Sequence, residues 1–333
     1  MKMAFAGFCT RAKVILKLSM YIVYYFIKER FGHRRFNVKS IKDRDGDVAI
    51  VTGGGRGIGL HVTKSLLKCG VKVIIASRSA KSCEDTLNQY TKDNKCKGRF
   101  ECMSLDLSSM KSVLEFAQQF KEKYNSLNLL ICNSGIMMTP FKLTVDGFES
   151  QLGVNYLGHF LLSHLLLPEL KRGSTPEQHS RIVNVTSLAH KAGIIKFDDL
   201  QSTHWYSGTV SYAQSKLAQV AFTTYANKLL KDAGYNVDVY CTHPGIVSTE
   251  LYEHVPCGTW SFIIDKMFKS PSQGADTVLY SALEESLEGD GGKYIENSKV
   301  EAPNPLAVQR EVQQRLYQIS CSLTNVPSEL NLS

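Results

Sequence analysis

Asp47-Val48-Ala49-Ile50-Val51-Thr52-Gly53-Gly54-Gly55-Arg56-Gly57-Ile58-Gly59 is the stretch that decides the fold. Its first six residues are a short β-rich run. The glycines follow at once, and a helical pattern continues to about Cys69. A G-x-x-x-G-x-G loop between strand and helix lets the backbone turn tightly and approach a pyrophosphate. The free N–H groups and the positive dipole end of the helix then attract it. A glycine-rich match alone is weak; the strand before and the helix after give it weight. Gly53, Gly55, Arg56, Gly57, Ile58 and Gly59 are therefore read as cofactor contacts.

Outward from this loop, strands and helices alternate. Strands are expected at 71–76, 99–105, 127–133, 181–186, 236–242 and 291–295, and helices at 79–92, 109–124, 147–170, 209–231 and 273–286. Such alternation implies right-handed crossovers and a parallel sheet. The expected fold is α/β: a single Rossmann-type doubly wound parallel sheet of about seven strands with helices on both faces. No internal repeat or long linker splits it. The catalytic domain is expected over 45–315, after a basic, apolar anchor at 1–44 and before a C-terminal tail at 316–333.

The composition fits this. Of 333 residues 43% are hydrophobic, with 15 Phe, 15 Tyr and only 9 Pro, which excludes a disordered or collagen-like chain. The net charge of +8 is uneven. Residues 1–45 hold 11 basic and 3 acidic side chains, and the other 288 residues hold 28 of each. The body thus lacks the positive excess of a nucleic-acid binder. In the leader, Leu18 to Ile27 is a ten-residue run without charge, followed by Lys28-Glu29-Arg30-Phe31-Gly32-His33-Arg34-Arg35. It is short of the roughly 20 residues of a full span, and no small-residue cleavage site follows. It reads as an uncleaved membrane anchor, a short tilted span or a helix in the interface, with the body facing the cytosol. An ordinary amphipathic helix packed on the domain is the plainer alternative. Nine cysteines without a C-x-x-C pair point to reduced thiols.

The end of the second strand separates the two nicotinamide cofactors. An acid there binds the ribose 2′-hydroxyl, and an arginine takes a 2′-phosphate. Here Ala76 is followed by Ser77 and Arg78, with Arg56 nearby in the loop. NADP(H) is favoured, and NAD(H) remains open. Further on, Tyr212 and Lys216 in Ser211-Tyr212-Ala213-Gln214-Ser215-Lys216 stand at i and i+4 on one helix face. An ammonium beside a phenol favours the phenolate and suits the tyrosine to exchange a proton with a carbonyl or alcohol oxygen. Ser187, just past the strand 181–186, could polarise the same oxygen.

These motifs together resemble the "classical" short-chain dehydrogenase/reductase family over about residues 45–295. They resemble in particular its membrane-associated retinol-dehydrogenase and "dehydrogenase/reductase X-linked" branch. The resemblance implies a tetrad of Asn155, Ser187, Tyr212 and Lys216. It places Asp106 and Leu107 at the adenine, and Asn133, Ser134 and Gly135 along the cofactor. It brings Pro244, Gly245, Val247 and Thr249 to the nicotinamide. It implies that Tyr212 is the general acid/base, that Ser187 holds the substrate oxygen and that Lys216 binds the nicotinamide ribose and lowers the Tyr212 pKa. Asn155 would kink its helix and hold a water that relays protons to Lys216. The family usually shows N-N-A-G where this chain has Cys132-Asn133-Ser134-Gly135. The branch implies lipophilic alcohols and carbonyls, an isoprenoid (polyprenol) or retinoid first and a steroid or fatty-chain carbonyl second. It also implies a place at the endoplasmic reticulum or a lipid droplet.

No metal is expected, because His159, His190 and His243 show no ligand spacing and read as structural or hydrogen-bonding residues. The apolar stretch 250–272 is a candidate lid for an apolar substrate; a second membrane contact or a homodimer face are its other uses. A catalytically idle nucleotide-binding protein serving as a membrane-associated interaction module is the alternative function, against which the filled tetrad speaks.

Overall fold

The structure is a computed structural model and describes residues 12–21, 24, 36, 43–248 and 268–327. Thr249 and most of the candidate lid 250–272 lie outside the described residues, as does much of the leader. Eight strands form one sheet: β1 (Val48–Thr52), β2 (Lys72–Ser77), β3 (Phe100–Ser104), β4 (Leu129–Cys132), β5 (Ser180–Val185), β6 (Val237–His243), β7 (Tyr294–Glu296) and β8 (Lys299–Glu301). Their order is β3-β2-β1-β4-β5-β6-β7-β8. The chain winds outward from β1 to β3 and returns to lay β4 beside β1, so the order reverses there. A crevice opens at that point beyond the carboxyl ends of the strands.

All pairs are parallel except β7 with β8. This eighth strand is one more than the sequence suggests. It is a three-residue edge of Lys, Val and Glu, joined through Asn297 and Ser298 at φ 50° and 54°. Two successive left-handed residues make a tight hairpin, and so short a partner leaves no apolar run to read.

The helices are α1 (residues 12–21), α2 (Gly57–Lys68), α3 (Ala80–Asn94), α4 (Met110–Lys123), the composite α5, then α6 (Leu167–Gly173), α7 (Gly208–Asp232), α8 (Pro271–Leu283) and α9 (Arg310–Thr324). The α5 segment joins Ser150–Leu152, a π-turn at Gly153–Leu157, and Gly158–Leu165. Strand side chains alternate between two apolar layers. Ile50 joins α4, α5, α7 and α9 on one face; Ala49 and Val51 join α2, α3 and α8 on the other.

The sequence suggests one helix over 147–170, and the chain instead breaks twice. Gly147 has φ +81°, and Glu149 caps α5 by accepting from the N–H groups of Gln151 and Leu152. Further on, Pro168 sits in the first turn of α6; proline has no N–H to donate and its ring crowds the preceding turn. The expected tail from 316 also differs. Helix α9 runs through that position to Thr324 and buries Leu316, Tyr317 and Ser320.

Helix α1 has Val14 and Leu18 buried and Ala12, Lys13, Ile15, Leu16, Lys17, Ser19 and Met20 exposed. Among the described residues, no helix is long and apolar enough to cross a membrane. The seven cysteines among the described residues are free thiols.

Candidate active site

The glycine loop joins β1 to α2 at the crevice. Gly53 has φ +66°, where a side chain would be strained, and a Cβ on Gly59 would stand 2.3 Å from the Gly53 carbonyl oxygen. The loop therefore folds back on itself at a distance only glycine permits. Arg56 is the N-cap of α2, yet no side chain caps the helix and no acid stands in its first turn. An uncapped helix start above a glycine turn is a fitting seat for a pyrophosphate. Ile58 and Val247 both pack against Gly274 of α8, which brings the loop and the segment after β6 together. Pro244 and Gly245 follow β6 directly, Gly245 at φ +98°.

Thr52 is the hub beneath this loop, a role that its place at the head of the glycine motif did not reveal. Its Oγ1 accepts from the N–H groups of Asn133 and Ser134, both at 2.9 Å, and the Asn133 amide donates to the Thr52 carbonyl. The same hydroxyl lies 3.0 Å from His159 Nε2. His159 Nδ1 lies 3.1 Å from the Asn155 carbonyl. A carbonyl only accepts, so Nδ1 carries the proton. Burial holds the imidazole well below its usual value, at about 4, so the ring is neutral and Nε2 accepts from Thr52.

Asn155 lies at the centre of the π-turn and is fully buried. Its Oδ1 accepts from the Ile136 N–H at 2.8 Å; its amide donates to the Ile136 carbonyl and to Ser215 on α7, each at 3.0 Å. Ser215 in turn donates to the Tyr212 carbonyl. An unbroken polar path thus runs from the end of β1 to the helix that carries Tyr212 and Lys216. Gly135 fits between Asn155 and Lys216: a Cβ there would lie 3.2 Å from Asn155 Oδ1 and 3.5 Å from Lys216 Nζ.

Ser187 ends the segment after β5. It caps a 3-10 turn at Leu188–Ala192, accepting from the Ala189 N–H, and its hydroxyl draws the Tyr212 phenol down. His190 Nδ1 donates to the Ser187 carbonyl at 2.7 Å and steadies that turn. Tyr212 is 3% exposed. Burial pushes its phenol up to about 12, against the pull of Ser187. Lys216 donates to the Val185 carbonyl and to Gln219, both at 3.0 Å, and burial lowers its ammonium to about 7. Its Nζ lies 5.8 Å from the centre of the Tyr212 ring. In this arrangement the Lys216 ammonium is directed at the Val185 carbonyl and Gln219. Gln219 is a further site residue, one helical turn beyond Lys216 on the same face, and that spacing was its available signal.

The other cofactor candidates gather on the same edge. Ser77 closes β2, with Arg78 exposed beside it. Asp106 follows β3, its Oδ1 holding both the N–H and the hydroxyl of Ser108, and Leu107 is buried against Gly158. At the opposite end of the sheet, His179, Asp238 and Glu288 are grouped closely. Asp238 already accepts from Gly289, and Glu288 from Arg181, so the group closes on protein partners.

Residues 47–257 match the sequence profile of the short chain dehydrogenase family. The chain belongs to that family. It is 40% identical to the human polyprenol dehydrogenase over 285 residues, covering 84% of this chain and 85% of the relative. It is also 40% identical to the human retinol dehydrogenase 12 over 283 residues, covering 84% and 87%. Among solved structures it is similar to the Pseudomonas aeruginosa RhlG/NADP active-site complex, with a TM-score of 0.62, 25% identity, and coverage of 76% and 95%. The chain is an oxidoreductase acting on CH–OH donors, and the family to which it belongs binds NAD(P) cofactors.

Proposed function

We propose that the enzyme interconverts a lipophilic alcohol and its aldehyde or ketone, an isoprenoid (polyprenol) or retinoid type first and a steroid or fatty-chain carbonyl second. The observation that carries this reading is the surrounding of Tyr212. Its ring lies in one apolar cluster with Met137, Ala189, Ala192, Val210 and Ala213, and Met138 and Trp205 pack against it. Such walls suit a hydrocarbon and offer nothing to a charged or sugar-like substrate. The polyprenol and retinol relatives support the same substrate class.

In the proposed mechanism, bound nicotinamide supplies or accepts the hydride. Ser187 holds the substrate oxygen, and Tyr212 gives it a proton in reduction or takes one in oxidation. With its phenol raised to about 12, Tyr212 is protonated at neutral pH, the state a reduction requires. Lys216 would hold the nicotinamide ribose and Asn155 would keep the proton path beside Gly135. Absorbance change of the nicotinamide with a panel of isoprenoid, retinoid, steroid and fatty alcohols and aldehydes tests the class. Turnover confined to small polar carbonyls would overturn it.

NADP(H) is the proposed preferred cofactor. Arg56 in the glycine loop and Arg78 directly after β2 are both exposed and would meet a 2′-phosphate, and no acid stands at the end of β2. Replacing Arg78 by Asp is expected to lower kcat/KM for NADPH relative to NADH by about tenfold to a hundredfold, the worth of one charge-assisted contact. An unchanged ratio would remove Arg78 from the phosphate site. We further propose that residues 1–44 attach the enzyme to the endoplasmic reticulum or a lipid droplet, with the catalytic domain toward the cytosol. The basic leader supports this attachment.

A further inference from the structure

Helix α1 has two apolar faces. Val14, Leu18 and Tyr21 recur at i, i+4 and i+7 and form one stripe. Val14 and Leu18 are 3% and 8% exposed, and they belong to the same apolar cluster as Tyr212, Met137, Ala189, Ala192 and Val210. Tyr21 packs against that cluster beside Met138 and Trp205. The other face carries Leu16 and Met20, 64% and 66% exposed, with Tyr24 a turn further on. Lys13 and Lys17 flank that face, and both are exposed.

The inner face meets a rigid floor. Met138 has φ +52°, a conformation that a side chain of its kind rarely adopts. Gln151 holds it there, accepting from the Met138 N–H at 2.7 Å while donating to the Tyr206 hydroxyl and the Gly208 carbonyl. The segment opposite α1 is thus fixed from below, and α1 covers the apolar cluster around Tyr212 from outside.

We propose that α1 is a wall of the substrate site that sits between the bilayer and the catalytic tyrosine. Val14, Leu18 and Tyr21 line the space for the substrate's hydrocarbon chain, opposite Met137, Met138 and Trp205. Leu16, Met20 and Tyr24, with Lys13 and Lys17, rest on an anionic phospholipid surface. The charge pattern commits the outer face to that occupant, since residues 1–45 carry 11 basic and 3 acidic side chains. A chain leaving the bilayer along α1 meets Tyr212 with its polar end leading, and α1 sets which chains fit. This inference rests on the lipophilic-substrate reading above.

The test uses the full chain on phosphatidylcholine vesicles with and without phosphatidylserine. The substrates are a long isoprenoid alcohol in the vesicles and a short water-soluble alcohol. Leu18→Trp fills the space above Tyr212. It is expected to lower the long-to-short ratio of kcat/KM by about tenfold, the scale at which a pocket discriminates a few carbon atoms. Leu18→Ala opens the same space and is expected to shift the preference toward bulkier alcohols. Leu16→Glu with Met20→Glu is expected to weaken binding to phosphatidylserine vesicles about tenfold, with turnover of the vesicle-borne alcohol falling in step. Melting temperature and NADPH fluorescence report whether each variant is folded.

If Leu18→Trp leaves the ratio unchanged, or lowers both substrates equally, the wall assignment is overturned and the lipophilic-substrate reading stands. If vesicle binding survives Leu16→Glu with Met20→Glu, the outer-face assignment is overturned. If the unaltered enzyme uses only the short alcohol, the substrate reading itself fails, and this inference with it.

Discussion

Replacing Tyr212 by Phe is expected to lower turnover by about 10²- to 10⁴-fold, the usual contribution of a placed general acid or base. The substitution removes one oxygen and keeps the ring that packs in the apolar cluster above the site. Ser187, the polar group that pulls on the lost hydroxyl, keeps its partner in the Ala189 N–H. No buried group is stranded, so melting temperature and NADPH binding are expected to stay near their original values. The loss should therefore appear in kcat, measured by nicotinamide absorbance with the best lipid substrate. Near-normal turnover would remove Tyr212 from the chemistry. The matching Lys216 variant is less clean, because it would leave the Val185 carbonyl and Gln219 without the ammonium that both accept from.

The cofactor-free enzyme is expected to lose stability steeply as pH falls from about 6.5 toward 4. Three imidazoles are buried and neutral. Burial lowers His159 and His164 to about 4 and His190 to about 3. Each donates from Nδ1 to a backbone carbonyl three or four residues earlier, at Asn155, Phe160 and Ser187. The Nε2 atoms of His159 and His164 face the hydroxyls of Thr52 and Tyr317 as acceptors. In the unfolded chain the same rings titrate near 6.5. Between these values the unfolded chain binds more protons than the folded one, so acid favours unfolding. Each ring contributes about 1.4 kcal/mol per pH unit and the three together about 4. Against a usual total of about 5 to 15 kcal/mol, that is enough to unfold a protein at the lower end of the range within about one to two pH units. Denaturant melts across this range measure the slope. His164→Gln should reduce it by about a third, and a flat profile from pH 7 to 5 would show that the rings are not held neutral.

The sheet was legible because buried parallel strands are apolar runs, and Val48–Thr52, Lys72–Ser77 and Leu129–Cys132 each fall within about two residues of the expected span. The site was legible where chemistry needs a residue type at a fixed spacing, as at Tyr212 and Lys216. What escaped was structure held by polar pairing. The sequence of α9, Arg310 to Thr324, is mostly polar, and it is anchored by Tyr317 donating to His164 and by Ser320 bonded to Tyr156. Apolar periodicity does not register such contacts. The hub at Thr52 and His159 escaped for the same reason, since its partners lie 81 and 107 residues apart in sequence. The seating of α1 against Tyr212 depends on which of two apolar stripes turns inward, and both stripes read alike. The break at Pro168, by contrast, was available from the residue itself.

The π-turn at Gly153–Leu157 amounts to a helix holding one residue too many. An α-helix advances about 100° per residue, so the surplus residue rotates everything after it by that angle relative to everything before it. Ahead of the turn, Gln151 is aimed at Met138 and Gly208. After it, Phe160 and His164 are aimed at Tyr317. The two aims do not survive together in a regular helix. Deleting one residue from this stretch would rewind a smoother helix, yet it would send the aromatic side chains of Gly158–Leu165 away from α9. The smoothest version of this segment is one in which its two ends can no longer both be docked.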